Sequence, residues 1–203
     1  MATTAGRTSV RYRRRVFGGA LGNARLTALA GALLLVLLAV EGATVPFIRS
    51  LLTVHIFVGM LLLGPVALKL GSTGYRFVRY YTGARDYREL GPPTPLLRIV
   101  VAPVLVLSTL TLFGTGVLLL ASPHRGAILG LHKASFVVWF FACAVHVLAY
   151  AVRTLRTLLE DRIGGEALRV TLVVTAIGAG VAVAAATYPL AAPWLHGALL
   201  RHH

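Results

Sequence analysis

The sequence is poor in cysteine, in acidic residues and in charge of either sign. Its single cysteine, Cys143, excludes an intramolecular disulfide and any metal cluster held by several cysteines. Only six of the 203 residues are Asp or Glu, and 13% are charged, about half the fraction typical of a soluble domain. The strings H-E-x-x-H and G-x-S-x-G are both missing. Intramembrane proteolysis, hydrolysis and metal transport are therefore disfavoured.

Long apolar runs take the place of charge. Hydrophobic residues make up 57% of the chain, and the mean hydropathy is +0.80. These residues form blocks long enough to cross a bilayer. The sequence predicts one all-α domain, a polytopic membrane bundle of five transmembrane helices with a cytoplasmic loop at 71–98. The predicted helices cover residues 26–42, 51–70, 99–120, 132–152 and 169–192.

The basic residues alternate between the two sides of this predicted bundle. Most of the 20 Lys and Arg residues lie in the N-terminal segment, between the second and third helices, or between the fourth and fifth. The four on the other side are Arg49, Arg125, Lys133 and Arg201. This asymmetry predicts a cytoplasmic N-terminus and an external C-terminus. Contact with anionic membrane lipid then explains the net charge of +14 without nucleic acid.

Two further predictions concern the setting of the chain. The basic string R-Y-R-R-R before the first apolar block is interpreted as the flank of a membrane helix, the alternative being a cleavable signal of the twin-arginine kind. A composition rich in Ala, Arg, Val and Gly indicates a GC-rich bacterial genome. We therefore expect a multi-pass protein of the bacterial cytoplasmic (inner) membrane.

Three histidines fall inside the apolar blocks, where ionisable groups are costly and usually mark a function. His132 and His146 are 14 residues apart, which places them on one helix face about 21 Å apart. His55 lies near the start of the second predicted helix, which runs parallel to the fourth. His55 and His132 are thus expected at the same outer depth, where they could coordinate one haem iron from both sides.

Two nearby residues suit a flat macrocycle at that depth. Gly59 lies one turn below His55 and would let a porphyrin approach the backbone. Trp139 lies two turns below His132 on the same face and could pack on the edge of the ring.

The inner level of the same two helices is different. Fourteen residues after His55 stands Lys69, which could ligate haem only when deprotonated. Its simpler interpretation is a side chain that extends to the cytoplasmic interface. His146 then has three interpretations: a haem ligand with an unseen partner, a hydrogen-bond partner of a propionate, or a satisfied histidine of the bundle.

These histidines resemble the ligands of the di-haem membrane cytochromes b, including the cytochrome b561-like proteins. The resemblance covers residues 51–152, and Lys69 departs from it at the fourth ligand position. It implies haem b held by His55 and His132, with a second haem iron at His146 left open. It also implies an electron-transfer subunit, rather than a stand-alone enzyme, between quinol and an external, periplasmic redox protein. Such a subunit belongs to a larger assembly or a homo-oligomer.

Several other residues have more than one possible role, and a second function is also possible. Glu41 is either an interfacial carboxylate or a proton relay for quinone chemistry, and no acid is expected beside the three histidines. His124 binds a propionate, replaces His132 or is solvated. Arg125 and Lys133 are either propionate partners or interfacial charges. The alternative function is a non-redox membrane scaffold or small-molecule permease with bundle histidines.

Overall fold

The computed structural model of the chain describes residues 18–91, 95–121, 126–159 and 164–199. These residues are helical and contain no strand, so the predicted all-α class is confirmed for them. Short 3₁₀ turns lie at Val45–Phe47 and Tyr188–Ala191, and a π-helical turn lies at Leu97–Val101. The α-helices of the described residues are α1 (Gly19–Thr44), α2 (Ile48–Leu61), α3 (Leu63–Tyr81), α4 (Arg85–Glu89), α5 (Ala102–Ala121), α6 (Gly126–Leu159), α7 (Glu166–Thr187) and α8 (Ala192–Leu199).

Four helical stretches of the described chain are long and apolar enough to cross a membrane. They are Gly19–Tyr81, Leu97–Ala121, Gly126–Leu159 and Glu166–Leu195. The first is 63 residues long and does not run straight. It folds back at the 3₁₀ turn, since Asn23 on α1 donates a hydrogen bond to the carbonyl of Ser72 on α3. A multi-pass helical bundle is therefore confirmed, and a fifth crossing requires counting the two halves of this stretch separately.

The helices extend beyond the predicted apolar blocks. The predicted loop at 71–98 is helical as far as Tyr81 and again in α4, and α6 begins six residues before the predicted position 132. Hydropathy identifies the part of a helix that lies in lipid. The helix itself continues into polar sequence until a residue adopts a non-helical backbone conformation. After α3 this residue is Gly83, whose φ of 85° is unfavourable for other residues.

A close helix crossing joins α2 and α3 to α7. Pro65 lacks the N–H that would bond the carbonyl of Leu61, which coincides with the break between α2 and α3. A side chain built on Gly180 would collide with that carbonyl oxygen, and one built on Gly64 would collide with the carbonyl oxygen of Ala176. Only glycine allows the backbones to approach this closely, as at other small-residue crossings in membranes.

An ion-pair cluster joins α1, α6 and α7 at the predicted cytoplasmic end. The guanidinium of Arg25 is buried and donates to both carboxylate oxygens of Glu166 at 3.1 and 3.3 Å. It also donates to the carbonyl of Thr157 at 2.9 Å. Arg169 is buried on the other side of Glu166 and donates to it at 2.9 Å. The guanidinium of Arg25 thus connects three helices, because it binds Glu166 of α7 and the carbonyl of Thr157 of α6 from α1.

We expect Arg25→Ala to reduce the free energy of unfolding by about 1–3 kcal/mol, because it removes hydrogen bonds from a buried charged group. Thermal unfolding of the full chain in detergent would measure the change. Arg85→Ala is the matched control, since its ion pair with Glu89 leaves 85% and 64% of the side chains exposed and exposed pairs contribute little. Equal losses in both variants would contradict the role assigned to Arg25.

Candidate functional site

The structure brings together His55 of α2 and His132 of α6. The centroids of the two imidazole rings are 6.5 Å apart and the ring planes are perpendicular. Both side chains are half-buried. Helix α2 packs on α1 and α7, whereas α6 packs on α5 and α1. The two rings therefore meet across the space between two parts of the bundle.

His55 is oriented through its Nδ1 atom by the end of α1. Nδ1 lies 2.9 Å from Oε1 of Glu41 and 2.8 Å from the hydroxyl of Thr44. That hydroxyl donates its own proton to the backbone carbonyl of Glu41, so its oxygen is free to accept from the ring. A carboxylate also accepts. These partners assign the proton of neutral His55 to Nδ1 and leave a lone pair on Nε2.

His132 is oriented in the same way by α5. Its Nδ1 atom lies 3.1 Å from the carbonyl oxygen of Leu112 and 3.0 Å from the hydroxyl of Thr115. A carbonyl can only accept, and the Thr115 hydroxyl donates to the carbonyl of Thr111 at 2.7 Å. The proton of His132 is therefore also assigned to Nδ1. Gly116 leaves room for the ring, since a Cβ atom there would lie 3.4 Å from its Cε1 atom.

The two imidazoles have the arrangement of metal ligands. A ligating histidine usually donates its second ring N–H to a carboxylate or a backbone carbonyl, as both do here. A metal–imidazole bond is about 2 Å long, so two imidazoles on opposite sides of one ion have centroids roughly 6 Å apart. The described residues contain no group of three His, Cys, Asp or Glu side chains that could hold a metal ion. Two histidine nitrogens are the donor set that a bis-histidine haem needs from a protein.

The sequence interpretation gave Glu41 as an interfacial carboxylate or a proton relay, but it missed the contact of this side chain with His55. The prediction that no acid lies beside the histidines is wrong, because Glu41 contacts His55 directly. Its second oxygen, Oε2, is buried without a hydrogen-bond partner among the described residues. The available signal was the turn at Val45–Phe47: residues before and after a chain reversal come together on antiparallel helices.

Gly59 and Trp139 lie near their histidines but contact protein groups. A Cβ atom on Gly59 would lie 3.2 Å from Oε1 of Glu41. The indole of Trp139 donates to the hydroxyl of Thr109 at 3.1 Å, so it faces α5 as His132 does. Contact of either residue with a porphyrin stays a prediction.

At the inner level, the side chain of Lys69 is directed toward α1. The ammonium of Lys69 donates to the carbonyl of Thr27 at 2.7 Å, and Gly31 leaves room for it, because a Cβ atom there would lie 2.8 Å from Nζ. The expected extension of Lys69 to the interface is therefore wrong. His146 interacts electrostatically with Lys69, and its ring lies 4.8 Å from that of Tyr150.

None of the other predicted residues that the structure describes is seen in contact with His55 or His132. His124 and Arg125 lie outside the described residues, and Lys133 is exposed. Cys143 is half-buried and its thiol is free, which agrees with a small apolar side chain. Comparisons with protein-family models, with curated proteins and with solved structures find no match for this chain.

Proposed function

We propose that the chain is a b-type membrane cytochrome, a subunit that passes electrons between quinol and an external redox protein. The observation that carries this proposal is the facing pair of His55 and His132, with each Nδ1 atom hydrogen-bonded and each Nε2 atom available. A bound haem supplies reversible one-electron transfer. Held by both His55 and His132, the group would act as an electron relay and would not bind oxygen.

The chain's own residues bind and orient the group. His55 and His132 supply its axial nitrogens. Glu41 and the carbonyl of Leu112 hold the two rings in the tautomer that a metal requires. Lys69 occupies the fourth ligand position in the sequence, and its ammonium donates to the carbonyl of Thr27 and has no lone pair for a metal. This arrangement favours one haem near the outer face over two.

The proposed topology has five crossings, with the N-terminus in the cytoplasm of a bacterium and the C-terminus outside. The fold-back between α1 and the α2–α3 pair supports two crossings within Gly19–Tyr81. The distribution of Lys and Arg supports the orientation. Partners are membrane lipid, quinone or quinol, a periplasmic redox protein, and further subunits or copies of the chain.

A reduced-minus-oxidised absorption spectrum tests this function. We expect membranes from haem-replete cells that express the chain to show the α-band of a six-coordinate haem b. We expect the His55→Ala, His132→Ala double variant to lack it. Colourless purified protein would favour the alternative, a non-redox scaffold or permease. A band that survives in the double variant would show that the haem is held elsewhere.

A further inference from the structure

The two proposed axial histidines differ in the charge of the groups that accept hydrogen bonds from them. Nδ1 of His55 lies 2.9 Å from a carboxylate oxygen of Glu41. Nδ1 of His132 lies 3.1 Å from the carbonyl oxygen of Leu112 and 3.0 Å from the hydroxyl of Thr115, which are both neutral groups. Of the two rings, only that of His55 therefore has an anionic acceptor among the described residues.

The carboxylate of Glu41 has no other described partner that would compete with His55. Its ion pair is with His55, and its second oxygen, Oε2, is buried without a hydrogen-bond partner among the described residues. The hydroxyl of Thr44 lies 2.8 Å from the same Nδ1 atom, but it donates to the backbone carbonyl of Glu41 and not to the carboxylate. Only 15% of the Glu41 side chain and 24% of the His55 side chain are exposed. The interaction is thus screened less than one on an open surface.

An anionic acceptor changes a ligating histidine more than a neutral one does. A carboxylate that accepts from the second ring nitrogen makes the ligating nitrogen more basic, so this nitrogen donates more electron density to a metal. Ferric haem carries one more positive charge than ferrous haem, and a nearby negative charge favours the ferric form for the same reason. Both effects lower the reduction potential. A neutral carbonyl or hydroxyl has a smaller effect, because its hydrogen bond is weaker.

We propose that Glu41 is a positioning residue that lowers the reduction potential of a haem held by His55 and His132. This inference rests on the proposed function, because it concerns the group that these two histidines would bind. Glu41 acts through the imidazole of His55 and is not itself a ligand. A lower potential makes the reduced haem a stronger electron donor. Glu41 therefore favours release of the electron to the external redox protein over its retention on the haem.

The variant Glu41→Gln tests this role, because glutamine has nearly the same size and keeps an oxygen that accepts from Nδ1, but carries no charge. The measurement is the midpoint potential of the purified protein with bound haem, by spectroelectrochemical titration. We expect the preference for the ferric over the ferrous form to fall about tenfold, which raises the midpoint potential by about 59 mV for one electron.

Haem affinity gives a second measurement that does not depend on electron-transfer activity. Because redox state and binding are linked, the dissociation constant of ferric haem should rise about tenfold more than that of ferrous haem in Glu41→Gln. If Glu41 only oriented the ring, both forms would be weakened equally and the midpoint potential would not move.

The matched control is Glu89→Gln, which removes one negative charge from an exposed side chain of α4 and should leave the midpoint potential unchanged. Should Glu41→Gln fail to fold or to bind haem, Glu41→Asp keeps the charge but withdraws it from Nδ1 by the length of one methylene. We then expect the potential to rise by less than the change expected for glutamine.

The outcomes separate this inference from the proposed function. An unchanged or lower midpoint potential in either Glu41 variant that binds haem, or an equal rise in Glu89→Gln, would overturn the inference and leave the proposed function standing. Wild-type protein that binds no haem would overturn the proposed function, and the inference with it.

Discussion

Replacing His132 by alanine is expected to remove the haem b spectrum, whereas replacing His146 by alanine is expected to leave it unchanged. His132 faces His55 across the bundle, with its Nδ1 atom fixed by Leu112 and Thr115. The position that would supply a histidine partner for His146 is Lys69, whose ammonium donates to the carbonyl of Thr27. Losing an outer partner of a metal ligand costs roughly 10- to 100-fold in affinity, and losing the ligand itself should cost more.

The measurement is the haem-to-protein ratio of each purified variant, with the amplitude of the α-band. Both substitutions remove one half-buried histidine from the same helix, so each controls for the effect of the other on folding. Loss of half the haem in His146→Ala, with half retained in His132→Ala, would instead indicate two separate haems. Full haem content in His132→Ala would contradict the assigned ligand.

Gly64→Ala is expected to destabilise the bundle by about 1–3 kcal/mol, the cost of adding a methyl group to a close-packed contact. The added Cβ atom would collide with the carbonyl oxygen of Ala176 and lie 2.8 Å from the nitrogen of Gly180. Both neighbours are backbone atoms, which cannot move without separating α3 from α7. Pro65, next in sequence, is almost completely buried and leaves little room for adjustment.

Gly71→Ala provides the matched control on the same helix. A Cβ atom at Gly71 would meet nothing within 4 Å, and alanine favours a helix over glycine by about 1 kcal/mol. We therefore expect Gly71→Ala to be neutral or stabilising in detergent unfolding, while Gly64→Ala unfolds at a lower temperature. Similar behaviour of the two variants would contradict the close crossing.

Much of the bundle follows from the sequence because the bilayer imposes one dominant requirement. In lipid, a run of about 20 apolar residues satisfies its backbone hydrogen bonds by forming a helix. Such runs can be recognised from the sequence alone. The meeting of His55 and His132 was also predictable, since two parallel helices carry them at equal depth. The ends of the helices were less predictable, because α3 continues past the predicted apolar block as far as Tyr81.

Contacts between helices could not be read from the apolar blocks. The pairing of Glu41 with His55 depends on the tight turn at Val45–Phe47, whose geometry hydropathy does not encode. The hydrogen bond of Lys69 to Thr27 depends on the rotation of α3 about its axis, and on the space beside Gly31. Such rotations are set by packing between helices rather than by each helix alone.

The two histidines acquire their orientation from separate helical hairpins. His55 is held by α1, where its hydrogen-bond partner Thr44 is 11 residues earlier in the chain. His132 is held by α5, where its partner Thr115 is 17 residues earlier. Each half of the site is thus complete once its own hairpin has entered the membrane during synthesis. A group bound by both histidines would then fasten together two independently inserted pieces. Such a group would add to the contacts that already join the hairpins, which include the packing of α1 on α6 and the hydrogen bond from Arg25 to Thr157.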